Sequence, residues 1–262
     1  MQTIELALLC AIFFAMVLIA FPNTVKKYRI ILYSAMIIVE AYFVGPAYFD
    51  YSLAFGLSEG RNALRSFFCM GIMAEALFAV VAYVGVMPSK WDLTKRLKSV
   101  RAELSVLGCI ISFGEIFYYA NCFIMFFNGE LSTGRNIATI ATILLFVLMV
   151  PLMLTSLYFV RRHMKPKNWQ RLQYFSYLFY FGLLLHIVGL YGNFDGGISD
   201  FLTGRHADAL RCYLWIWVSY FVFRIAKYLI QWLHPAKKVE RDMMIEDEDT
   251  DKGPAYCDAG GT

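Results

Sequence analysis

Seven stretches of this chain, residues 4–21, 30–49, 63–87, 104–127, 137–160, 172–191 and 210–233, are each long and apolar enough to cross a lipid bilayer. A helix needs about 20 apolar residues to span roughly 30 Å of hydrocarbon, and in lipid every backbone polar group must find its partner inside the protein. Strands of a membrane barrel are about 10 residues long and alternate apolar with polar, whereas these runs are apolar on every face. The pattern predicts an all-α polytopic membrane helix bundle with seven transmembrane helices. Composition agrees, with 59% of the residues hydrophobic and only 17% charged.

The segments between the runs alternate in charge, and basic residues of short loops stay on the cytoplasmic side. One set carries Lys26, Lys27 and Arg29, then Lys90, Lys95, Arg96, Lys98 and Arg101, then Arg161, Arg162, Lys165, Lys167 and Arg171, then Lys237 and Lys238. The other carries Asp50 and Glu59, then Glu130, then Asp195, Asp200 and Asp208, with Arg61, Arg135 and Arg205 scattered among them. This predicts an outside N-terminus, a cytoplasmic C-terminus and a multi-pass protein of the cell membrane. The net charge of +4 does not point to nucleic acid, because the positive charges sit at membrane edges where the partner is the lipid bilayer and its anionic headgroups. Residues 1–3 carry no basic n-region, so the first run reads as a retained span rather than a cleaved signal.

Three regions follow: residues 1–62, with two N-terminal transmembrane helices and an outer loop; residues 63–233, a helix bundle; and residues 234–262, a cytoplasmic tail. The tail turns acidic over residues 246–251 and is expected to be disordered. It lacks the alternating oxygen ligands and turn glycine of an EF-hand. The cysteines Cys10, Cys69, Cys109, Cys122, Cys212 and Cys257 show no metal or disulfide spacing. No glycine-rich phosphate loop, nucleophile elbow or zinc-protease motif occurs, and the chain holds no nucleotide site of its own. Any flavin or nucleotide chemistry is expected from a separate protein.

Function in such a chain concentrates where ionisable groups sit at membrane depth, since each costs about 2.5–3.5 kcal/mol there. Glu40, Glu75, Glu115 and His186 are such groups. Counting about 1.5 Å per residue places Glu115 about 16 Å into its run and His186 about 21 Å into its own. Each glutamate also has a purely structural reading, as a protonated side chain bonded to a neighbouring helix, and His186 one as a core histidine bonded to a carbonyl. The aromatic residues have one as interface belts and core packing.

The stretch PLMLTSLYFVRRHMKPKNWQRLQYFSYLFYFGLLLHI at residues 151–187 resembles the ferric-reductase-like transmembrane domain. That family includes NADPH oxidases, ferric reductases and the haem-bearing membrane subunit of the methionine-sulfoxide reductase system. The likeness lies in Pro151, Leu152, Thr155 and Ser156, a short basic loop, Trp169 and Leu172, and a closing histidine at His186. RAELSVLGCIISFGEIFYY at residues 101–119 is similar to the family's first ligand-bearing helix, and the resemblance runs from about residue 65 to 232. It implies transmembrane electron transfer through haem b held between histidines on facing helices, fed by a cytoplasmic flavin or iron–sulfur reductase partner.

At the ligand positions the chain departs from the family: Gln173 and Glu115 stand where histidines are expected, and His186 alone remains. A glutamine amide is a feeble iron ligand, so an ordinary bis-histidine haem cannot be built from these positions. Two readings stay open, of which the family resemblance favours the first and makes the second its alternative. In one, a single haem rests on His186 with Glu115 or water opposite, and the protein is an electron-transfer subunit. In the other, haem is lost and the fold persists as a scaffold or transporter-like bundle. A rhodopsin-type reading would need a retinal-bearing lysine at mid-depth; Lys227 lies near the end of its run, where snorkelling accounts for it.

Overall fold

The computed structural model describes residues 20–45, 71–192 and 207–233, with positions 16, 17, 68, 194 and 201 besides. Among them all regular structure is helical: α1 Pro22–Lys27, α2 Arg29–Val44, α3 Ile72–Val84, α4 Asp92–Tyr118, α5 Ala120–Phe127, α6 Thr133–Ser156, α7 Tyr158–Arg161, α8 Pro166–Tyr191 and α9 Ala207–Leu233. The apolar run at 4–21, apart from its last positions, and the tail from 234 onward lie outside the described residues.

Three helices are long and apolar enough to cross a membrane, over Thr133–Ser156, Lys167–Tyr191 and Ala207–Ile230, and the pair α4 and α5, bent by 53°, makes a fourth if counted as one span. Helix α3 is apolar but shorter. The protein thus has several helices suited to a bilayer.

Local chemistry explains several helix boundaries, and some differ from the hydropathy reading. Helix α4 starts at Asp92, well before the apolar run at 104, because Trp91 is extended and Asp92 in the first turn complements the helix dipole. The run at 104–127 is not one straight helix: Tyr119 leaves helical geometry at φ −99° and ψ 22°, and hydropathy carries no trace of that break. Helix α8 opens on Pro166 after an extended Lys165, the geometry a residue before proline prefers and the place where a missing N–H costs nothing. Pro151 sits inside α6, and the helix continues past it to Ser156. The Thr155 hydroxyl donates to the Pro151 carbonyl at 2.9 Å.

The chain divides into two compact units, Met1–Ser219 and Tyr220–Thr262, and α9 runs across the division. In the first unit α6 packs chiefly on α8, and α4 packs on both α3 and α2. The first pairing is a small-residue crossing. A methyl group at Gly189 of α8 would meet the backbone of Ala138 and Gly134 of α6, and such residues let membrane helices approach closely where no hydrophobic effect drives them together. Leu77, Val100, Leu104, Leu107, Ile111 and Trp217 are fully buried. Ile140, Phe146, Val147 and Leu154 on α6 are exposed, an outer face that suits lipid rather than water. In the second unit the described residues are the last turns of α9, with Phe223, Ile225, Tyr228, Ile230 and Trp232 exposed.

Candidate functional site

The three glutamates singled out in the apolar runs come from three helices, Glu40 from α2, Glu75 from α3 and Glu115 from α4. Two glycines make room for them. Gly71, the left-handed N-cap of α3 at φ 68°, has no space for a Cβ because the Glu115 carboxylate lies against it. Gly114, beside Glu115 in sequence, has none because the Glu40 carboxylate lies there. Glu115 is the carboxylate whose charge acts on both Glu40 and Glu75.

Partners are few. Glu75 accepts a hydrogen bond from the Trp217 indole N–H, and its Oε2 has no partner. Glu40 is only 5% exposed and neither of its carboxylate oxygens is bonded. Burying an ionised carboxylate without donors costs several kcal/mol (about 2–7 even for an uncharged polar group), so Glu40 holds a proton or awaits a cation. Helix α3 eases the burden on the other two. Glu75 stands in its first turn and Glu115 packs on its N-cap, where the partial positive charge of a helix N-terminus favours an anion.

His186 of α8 is held across the crossing to α6. Its Nδ1 is 2.9 Å from Thr142 Oγ1 and 3.2 Å from the Ala138 carbonyl. The Thr142 hydroxyl already donates to that same carbonyl at 2.8 Å. An Nδ1–H satisfies both contacts, and in the neutral ring that tautomer leaves Nε2 its lone pair.

Glu75, Glu115 and His186 line one cavity of about 540 Å³, together with Phe78, Phe179, Tyr191 and an exposed Arg135. That is within the usual size of small-molecule pockets, roughly 300–1,000 Å³. Gln173 is not in it. It lines a separate cavity of about 40 Å³ with Arg101, Ser105 and Tyr180, little more than the roughly 30 Å³ that one water occupies in the liquid. The structure therefore brings two of the sequence-derived candidates, Glu115 and His186, together and separates the third.

These donors do not suit the haem arrangement that the family resemblance implies. The pocket at Gln173 is too small for a macrocycle, and among the described residues the larger cavity offers one imidazole and no second. Among the described residues no group of three His, Cys, Asp or Glu side chains is placed to hold a metal ion. Sequence reasoning singled out each carboxylate by depth but missed their glycine seats and the roles of Trp217, Thr142 and Ala138. The only available signal was Gly114 preceding Glu115 in an apolar helix.

No protein-family profile matches the chain, and no solved structure matches it. An uncharacterized protein of Treponema pallidum (strain Nichols) is 32% identical over 117 residues, covering 44% of this chain and 32% of that protein. The chain therefore spans about a third of the length of the curated relative it matches.

Proposed function

We propose that this chain is a seven-span membrane protein of ferric-reductase-like architecture that has given up haem ligation and uses its intramembrane cavity to bind a small molecule, as a transporter-like bundle. One observation carries the reading: Glu115, at a position where the resembled family places a histidine, turns its carboxylate to Gly71 and lines the cavity with Glu75. The exchange of ligand chemistry is thus accompanied by a seat for the new group. Basic residues at one set of helix ends support an outside N-terminus and a cytoplasmic C-terminus.

A second reading rests on His186, whose Nδ1–H is anchored by Thr142 and Ala138 and whose Nε2 is thereby free for a metal, the arrangement common to histidine ligands. In it a single haem b sits on His186, and a separate flavin or iron–sulfur reductase supplies electrons.

Absorption spectra of the purified protein, oxidised and then reduced with dithionite after expression with ample haem, separate the two. The first reading expects no Soret band. A Soret band that disappears in His186→Ala overturns it in favour of the second.

Orientation is checked independently. A reporter fused after Thr262 should be active only on the cytoplasmic side, and external activity means that the span count is wrong by one.

A further inference from the structure

We propose that the small cavity at Gln173 holds a single halide ion, bound by Arg101 and Ser105 of α4 and by Gln173 of α8. The site lies apart from the larger cavity, so the proposal stands independently of whether the protein binds haem.

Arg101 provides the starting point. It is half-buried in the wall of the cavity of about 40 Å³, and a charge withdrawn from water needs a partner of opposite sign. No carboxylate lines that wall. Glu103 stands two positions further along α4, a spacing that puts side chains on different faces of a helix. It does not line the cavity, and its Oε2 has no partner. The ion pairs among the described residues join Lys95 to Asp92 and Arg211 to Asp208, and Arg101 is in neither.

The wall is built to present donors. Arg101 donates a hydrogen bond to the Tyr180 hydroxyl, and Tyr180 is itself buried with its ring stacked on Trp217 at 5.7 Å. A fixed phenol thus holds the guanidinium at the cavity, with further N–H groups to spare. Ser105 brings a hydroxyl and Gln173 an amide NH₂ to the same space. Ser156 and Ser176 also line it, but their protons go to the Leu152 and Gln173 carbonyls of their own helices. The other ionisable group on the wall is the Cys109 thiol, which brings no positive charge.

Size selects the occupant. The space is close to that of one water, which admits a monatomic anion and excludes sulfate, phosphate and organic carboxylates. A water alone fits the space but leaves the charge of Arg101 unmatched. A halide accepts charge-assisted hydrogen bonds from all three donors and joins α4 to α8.

The test uses the full chain in detergent at constant ionic strength, with potassium gluconate replaced stepwise by chloride or bromide. Melting temperature should rise saturably with either halide, because a ligand that binds only the folded state stabilises it by mass action. Sulfate at matched ionic strength acts by exclusion from the surface and should show no saturation. Chloride-35 line broadening by the protein should be reversed by bromide. Arg101→Gln should weaken halide binding at least about tenfold. Tyr180→Phe, which releases the guanidinium, should weaken it severalfold. Arg96→Gln, at an exposed arginine on the same helix, should leave it unchanged. Equal melting in chloride and gluconate, or a rise that never saturates, overturns the inference without recourse to any variant. Undiminished line broadening in folded Arg101→Gln protein overturns it as well, since the halide then binds elsewhere.

Discussion

Glu115→His should give the protein a six-coordinate, low-spin haem, taking it from no Soret band to roughly one haem per chain, as bis-imidazole ligation requires. His186 and residue 115 line one cavity of about 540 Å³. Thr142 and Ala138 hold the His186 Nδ1, the way an outer hydrogen bond orients a ligating histidine. The substitution supplies the second imidazole and removes one of the two carboxylates that line the cavity. Gln173→His alone should bind none, because residue 173 opens on a pocket of about 40 Å³. If Glu115→His remains colourless while folded and reconstituted with excess haem, residues 115 and 186 do not face a common space.

Gly189→Ala should be the most damaging single methyl addition in the bundle. The new Cβ would meet backbone atoms of Ala138 and Gly134, and backbone cannot swing aside as a side chain can. Overpacking of this kind costs about 1–3 kcal/mol, and here the strain falls on the crossing that also positions His186 against Ala138. The melting temperature in detergent should fall by several degrees. In the Glu115→His background the same change should reduce haem retention. Gly129→Ala is the comparison: its Cβ meets nothing within 4 Å, although the backbone there has φ 73°. The penalty is then the left-handed conformation alone, roughly 1–2 kcal/mol, with no effect on the cavity. Equal losses of haem in the two variants would mean that the crossing of α6 and α8 does not set the site.

Helix class, and the placing of Glu40, Glu75, Glu115 and His186 within apolar runs, were legible in the sequence, because such runs are recognised by length and composition alone. Hydropathy also located the cores of α6, α8 and α9 to within a few residues. It could not find the break at Tyr119 or the early start of α4 at Asp92, since both depend on backbone geometry and capping at positions whose hydropathy is ordinary. Nor could depth tell which ionisable groups meet. That depends on how each helix is rotated and how closely it approaches its neighbours, which Gly71, Gly114, Gly134 and Gly189 govern by leaving out a Cβ. The family resemblance grouped Glu115, Gln173 and His186 as three ligand positions. Tertiary packing put two of them in one cavity together with Glu75, shut the third in another, and seated Glu40 against Gly114. Linear pattern thus determined that this chain carries its ionisable groups within apolar helical runs, and only the helix crossings decided which of them share a site.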